Sequence, residues 1–258
     1  MIVLLAHGSP DPRHGIGVNR LAGAVEAALD MPVRVAYLAH QGPTLVQAGA
    51  EIDEYPSEGS RPTVRQVDVL PLLLSAGEHY RRDLPELLHD AARTRPDLAW
   101  RELPLLPPAE LASAVVAAAG AAEAGPPPRS SPIGVVGVAA GSTRPGALDR
   151  FEYLARLLRP AGVELVIANG PSQVGSAAEL LTSLGARAPV VLPLMFADGF
   201  LAQASRRAAE VVGLRSSPPV GERPECTSAM AGWVAAHVSH ATHFEAPGIA
   251  TTVGGAPW

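Results

Sequence analysis

Apolar residues in this chain fall into short continuous runs, separated by stretches in which they recur at helical spacing. Residues 2–6, Ile-Val-Leu-Leu-Ala, show no polar alternation, as expected of a strand covered on both faces. The pattern then predicts a helix over 17–29, a second strand over 33–38, a short helix over 44–52 and a third strand over 67–74. A loop rich in Pro, Ser and Gly lies between the last two, over 55–62. Asp83 and Glu86 have the spacing of a capping box, with Pro85 in the first turn. A helix is therefore predicted over 83–93, which leaves 79–82 in the loop between strand and helix. Residues 98–103 read as a fourth strand and 109–119 as a fourth helix. Alternation of this kind implies parallel strands joined by right-handed crossovers, with helices on both faces of the sheet.

The Pro-rich segment 122–132 cannot continue a helix and reads as an extended linker. After it the pattern restarts with a strand over 133–139, and Ala140-Gly141-Ser142 takes the place of His7-Gly8-Ser9. The stretch 190–199 echoes 68–77, so that Pro193 aligns with Pro71 and Gly199 with Gly77. Two similar halves follow: a first lobe over 1–121, the linker over 122–132, a second lobe over 133–245 and a tail over 246–258. In this alignment Ala140 stands opposite His7, Phe200 opposite Glu78 and Leu201 opposite His79. The second half keeps the strand-to-loop geometry and lacks both imidazoles, which separates scaffold from chemistry inside one chain.

Composition narrows the class. Nearly half of the 258 residues are apolar, enough for sizeable cores, and the longest apolar runs are too short to cross a bilayer. Met1 runs straight into a strand without the pattern of a secretory leader, so a cytoplasmic protein is expected. The single Cys226 forms no internal disulfide and has no neighbours at zinc-ligand spacing. The net charge of -5 and the absence of a basic face interleaved with aromatic residues argue against nucleic-acid binding. All twenty basic residues are arginine, as a GC-rich coding bias would produce. Guanidinium groups nevertheless grip carboxylates in a bidentate fork, so their positions matter.

His7 and His79 each follow a buried-strand run, so both imidazoles should emerge at the carboxyl edge of one sheet, where open α/β sheets bind ligands. Two imidazoles there can converge on one metal ion or one substrate proton. The residues Leu4-Leu5-Ala6-His7-Gly8-Ser9-Pro10-Asp11-Pro12-Arg13 resemble the opening motif of the CbiX and SirB sirohydrochlorin chelatases. Residues 70–79, ending Ser75-Ala76-Gly77-Glu78-His79, are similar to the second motif of that family, and Arg82-Asp83-Leu84-Pro85 follow them. The resemblance covers most of the first half, and the second half resembles the degenerate repeat of the long, two-domain members. It implies two flavodoxin-like α/β lobes facing across a cleft. It also implies insertion of cobalt or ferrous iron into sirohydrochlorin, on a route to cobalamin or sirohaem, without a nucleotide.

That reaction suits the residues. A divalent metal must enter a macrocycle that gives up two pyrrole N–H protons, which calls for a neutral base and a weak, exchangeable ligand set. Imidazole serves as both, so His7 and His79 are the expected metal ligands and proton acceptors. The substrate carries carboxylates on its rim, and Arg13, Arg81 and Arg82, together with Ser9 and Gly77, are candidates to bind it. Solvated helix ends are the alternative for the arginines. Family members carry an acidic residue at the end of the second strand, where this chain has Ala39. His40 or Glu78 can stand in as a metal ligand, each being otherwise an exposed loop residue. A non-catalytic carrier of a metal or tetrapyrrole is the alternative function.

Weaker candidates are set aside. His14 is expected to face water near a helix start, and His237, His240 and His243 to lie along one solvated face of a terminal helix. Ser9 lacks the Gly-x-Ser-x-Gly elbow of a serine hydrolase, and Gly15 and Gly17 do not complete a dinucleotide fingerprint. A chain with two lobes completes its own cleft, so a monomer is expected.

Overall fold

In the computed structural model, strand β1 (Ile2–Ala6) lies between β2 (Val33–Tyr37) and β3 (Arg65–Leu72), which explains why its apolar run has no polar alternation. The structure describes residues 1–52, 65–121, 131–141, 144 and 146–238. The first sheet is completed by β4 (Leu98–Glu102), and all four strands are parallel in the order β2-β1-β3-β4. The second sheet repeats that order with β5 (Ile133–Val138), β6 (Val163–Ala168), β7 (Arg187–Pro193) and the two-residue β8 (Arg215–Ser216), arranged β6-β5-β7-β8. The registers agree as well, since Leu5 pairs with Pro71 in the first sheet and Val138 with Pro193 in the second. Superposing the prolines therefore places Ala140 on His7, in accord with the alignment of the two halves.

Helices cover both faces. Helix α1 (Pro12–Leu29) begins five residues before the predicted start, because Asp11 caps it, accepting from the Arg13 amide at 3.0 Å, and Pro12 supplies the first turn. Apolar periodicity is silent over that turn. Helix α2 (Leu45–Ala50) opens with a capping box between Thr44 and Gln47. The helix predicted from Asp83 is corrected at its start. A single π-helical turn (His79–Asp83) precedes α3 (Leu84–Thr94), so 79–82 belong to the helix rather than to a loop, and Asp83 makes no capping hydrogen bond. Helix α4 (Ala112–Ala121) follows a 3-10 turn (Pro108–Leu111). The second half adds α5 (Asp149–Leu158), α6 (Val174–Ser183), α7 (Phe200–Val211) and α8 (Pro224–His237). Residues 55–62, 122–130, His240, His243 and the tail lie outside the described residues.

Alternate residues on the strands feed different cores. Val3 and Leu5 point to an outer core under α2 and α3, and Val136 and Val138 to its counterpart under α6 and α7. The inner faces share one continuous core that joins Ile2, Leu4 and Leu70 to Val135, Leu165 and Leu192. Helices are exchanged across this core: α4, from the first half of the chain, packs on β5 and β7, and α8, from the last described segment, packs on α1. Buried Asp68 on β3 receives the Arg101 Nε at 2.5 Å, while the same guanidinium donates to the His237 carbonyl at the end of α8. Among the described residues no helix is long and apolar enough to cross a membrane.

Candidate metal-handling site

The carboxyl ends of both sheets open into one cavity of about 900 Å³, within the range of small-molecule sites. The first lobe contributes His7, His14, His40, Gly77, Glu78 and His79 to its wall. The second contributes mostly apolar surface, including Leu194, Met195, Phe196, Phe200 and Leu201, with Arg144 at the rim.

His7 follows β1 directly. Gly8, at φ 87°, turns the chain away, and a Cβ there would sit 1.8 Å from the Ala39 carbonyl oxygen, so only glycine lets the β1 loop cross the β2 loop. The Ala39 amide donates to the His7 carbonyl at 2.9 Å and fixes that crossing. His79 arrives from the π turn after β3, and its Nε2 lies 3.0 Å from the His7 Nε2. The two rings are 4.3 Å apart, at an angle of 63°. Residues separated by 72 positions in sequence thus meet at one point.

Their other nitrogens decide what that point is. The His7 Nδ1–H donates to the Gly8 carbonyl at 2.9 Å, and the His79 Nδ1–H donates to the Asp83 carboxylate at 2.6 Å. Both partners are acceptors, so in the neutral rings both Nε2 atoms carry lone pairs directed at each other. A shared cation suits such a pair, and nitrogens this close can both reach a metal ion at about 2 Å. Asp83 behind His79 is the usual carboxylate support of a ligating imidazole. Burial, helped by the neighbouring His79 and His40 rings, holds the His7 pKa below the ordinary histidine range against the Gly8 hydrogen bond. Neutral His7 is therefore the dominant form at pH 7.

The structure spreads the remaining candidates more widely. The His40 ring is 5.7 Å from that of His7, on a residue with φ 65°, and faces the same cavity. Glu78 is turned to Arg144 of the second lobe, whose Nε donates to Oε1 at 2.9 Å, rather than to the imidazoles. Among the described residues no group of three or more His, Cys, Asp or Glu side chains is arranged to hold a metal ion. Ser9 lines the cavity, but its Oγ accepts from the Asp11 amide at 3.2 Å, and Gly77 lines it through backbone. None of the three arginines forms part of the wall. Arg13 is engaged by Asp11 and lies 3.7 Å from Asp198, Arg81 donates to the Ala76 carbonyl at 3.0 Å, and Arg82 lies 3.8 Å from Glu86 along the helix. His237 is no cavity residue, since its Nδ1 meets the Trp233 carbonyl at 2.8 Å and its ring stacks on that indole.

Three features escaped the sequence reading. His14 lines the cavity instead of facing water, because α1 starts early; its Nδ1 lies 3.1 Å from the Gln41 Oε1, and burial lowers its pKa. Asp83 was legible as the residue four after His79, once both are placed on one helix. Arg144 had no local signal, because its partner belongs to the other half of the chain.

Residues 1–119 match the CbiX family model. The fold is similar to that of SirB from Bacillus subtilis subspecies spizizenii in complex with cobalt, at TM-score 0.68 and 19% identity over 91% of this chain and 93% of that one. It is also similar to SirB from Bacillus subtilis with Fe3+, at TM-score 0.66 and 20% identity over 91% and 93%. A third likeness is to CbiX, described as the terminal enzyme for biosynthesis of siroheme in denitrifying bacteria, at TM-score 0.63 and 22% identity over 92% and 99%. No curated protein sequence is significantly similar to the chain. The match to the CbiX family thus spans the first lobe, residues 1–119, and the two four-stranded parallel sheets make up the two-lobed chelatase fold.

Proposed function

We propose that this protein inserts a divalent metal ion, cobalt or ferrous iron, into sirohydrochlorin on the way to cobalamin or sirohaem, without nucleotide hydrolysis. The observation that carries the reading is the convergence of two Nε2 lone pairs, 3.0 Å apart, inside a cavity large enough for a macrocycle. Cobalt and iron, the ions in the two SirB structures, are both accepted by imidazole.

The chemistry is an exchange of one metal ion for two protons. His7 and His79 hold the ion on Nε2 while the macrocycle lies against the apolar wall of Leu194, Met195, Phe196 and Phe200. As the ion passes to the pyrrole nitrogens, each imidazole regains a lone pair, and the two N–H protons transfer to them before leaving to solvent. A set of only two neutral ligands is weak enough to release the ion, whereas four strong ligands would retain it. Asp83 holds His79 in the required tautomer by accepting from its Nδ1–H.

Purified protein given sirohydrochlorin and cobalt, iron or nickel in parallel should convert the absorption spectrum faster than the spontaneous reaction. Equal rates with and without protein refute the proposal. Stoichiometric binding without turnover points to a carrier, a reading the incomplete ligand set around Ala39 also suits.

A further inference from the structure

Beyond the shared core, two contacts between the lobes are related by the repeat, and these contacts are built differently. In one, the loop after β1 meets the loop after β7: Arg13 approaches Asp198 at 3.7 Å, and Arg206 Nη2 donates to both Asp198 oxygens at 2.8 and 3.0 Å. The Asp198 amide also donates to the Glu222 carboxylate at 3.0 Å, and the Asp198 side chain is 21% exposed. In the other, the loop after β5 meets the loop after β3 through Arg144 and Glu78. Here the side chains are 45% and 58% exposed, and both residues belong to the cavity wall. Gly141, at φ 80°, matches Gly8 at φ 87°, so Arg144 occupies the position that Asp11, an N-cap acid, holds in the first lobe.

Resting on the chelatase reading, we infer that Arg144 is the anchor for a rim carboxylate of the macrocycle, and that Glu78 occupies the place of that carboxylate in this structure. Three observations converge. Arg144 is the charged side chain that the second lobe adds to a wall otherwise of apolar residues, glycines and Asn169, so it is the group that would distinguish a polycarboxylated macrocycle from an uncharged one. The partner Arg144 now holds is itself a carboxylate, so the exchange is like for like, and the displaced Glu78, 58% exposed, is left to solvent. An exposed ion pair is weak and yields readily to a better-placed anion. The macrocycle should therefore approach along the Arg144 side.

The test is binding of metal-free sirohydrochlorin, read from its absorption spectrum, together with steady-state metallation by the full chain. Arg144→Gln should raise both Kd and KM by about tenfold to a hundredfold, the size of one charge-assisted hydrogen-bonded contact, with kcat within about twofold. Arg144→Lys should recover part of that loss. Glu78→Gln should lower Kd severalfold, and the gain should vanish when Arg144→Gln is also present. Unchanged binding by Arg144→Gln, weaker binding by Glu78→Gln, or failure of the wild-type chain to bind sirohydrochlorin at all overturns the assignment. Binding without metallation by the wild-type chain refutes the chelatase reading alone, because the Kd series still decides the role of Arg144.

Discussion

The two lobes share strand order, register and the left-handed glycine after the first strand, yet only one carries imidazoles at its strand ends. Where the first lobe has His7, His79 and Asp83, the second has Ala140, Leu201 and Ser205, whose hydroxyl donates to the Leu201 carbonyl within its own helix. A parallel sheet with matched crossovers therefore sets where loops end, and a few side chains on those loops decide whether the ends do chemistry. The second lobe has become the apolar wall against which the first can act.

The most severe way to break this asymmetry is to remove an imidazole. His7→Ala or His79→Ala should cost at least about a hundredfold in the protein-accelerated rate of metallation, with the melting temperature little changed because neither ring is buried in a core. Wild-type rates from either variant would show that the converged nitrogens are not the reacting groups.

The twin glycines sharpen the comparison next. Both hold a positive φ, but a Cβ on Gly8 meets the Ala39 oxygen at 1.8 Å, whereas on Gly141 the nearest atom is 3.9 Å away. Gly141→Ala should cost about 1–2 kcal/mol, the penalty of the left-handed backbone alone. Gly8→Ala adds an overlap that moves the β2 loop, so the total should reach about 3–5 kcal/mol and show as a larger drop in melting temperature. Equal drops would mean that the loop crossing yields easily.

A smaller effect is expected behind the site. Asp83→Asn keeps the shape but withdraws the carboxylate from the His79 Nδ1, and a loss of about tenfold to a hundredfold in rate or metal affinity should follow. Metal titration followed by calorimetry would separate weaker binding from slower transfer.

The mildest prediction concerns pH. Burial lowers the pKa of His7 and of His14 in the folded chain below the ordinary histidine value of about 6.5 that holds in the unfolded chain. Between those values the unfolded chain binds protons that the folded chain does not, so stability should fall as pH drops below about 6.5. Both groups lie in the first lobe or against it, so His7→Ala and His14→Ala should flatten the slope. A denaturation midpoint that stays level between neutral and mildly acidic pH would contradict the burial of these rings.

Much of this was legible along the chain. Continuous apolar runs marked the strands, the Pro193 and Gly199 echo of Pro71 and Gly77 exposed the repeat, and buried-strand runs ahead of His7 and His79 placed both at one sheet edge. Misreadings gathered at helix starts. Asp83 has the sequence of a cap and the geometry of a histidine partner, because the π turn pulls His79 into the helix one turn earlier. His14 was sent to solvent because the early turn of α1 carries no apolar periodicity.

The amino-acid sequence by itself determined the alternation of strands and helices, the duplication and the absence of imidazoles from the second lobe's counterparts of positions 7 and 79, since these depend on spacing between near neighbours. Tertiary structure alone decided the exchange of α4 and α8 between lobes, the pairing of Arg144 with Glu78, and the engagement of Arg13, Arg81 and Arg82 by partners outside the cavity wall. Those outcomes turn on where distant loops come to rest, and a charge is satisfied by whichever partner the packing brings within reach, not by the one nearest along the chain.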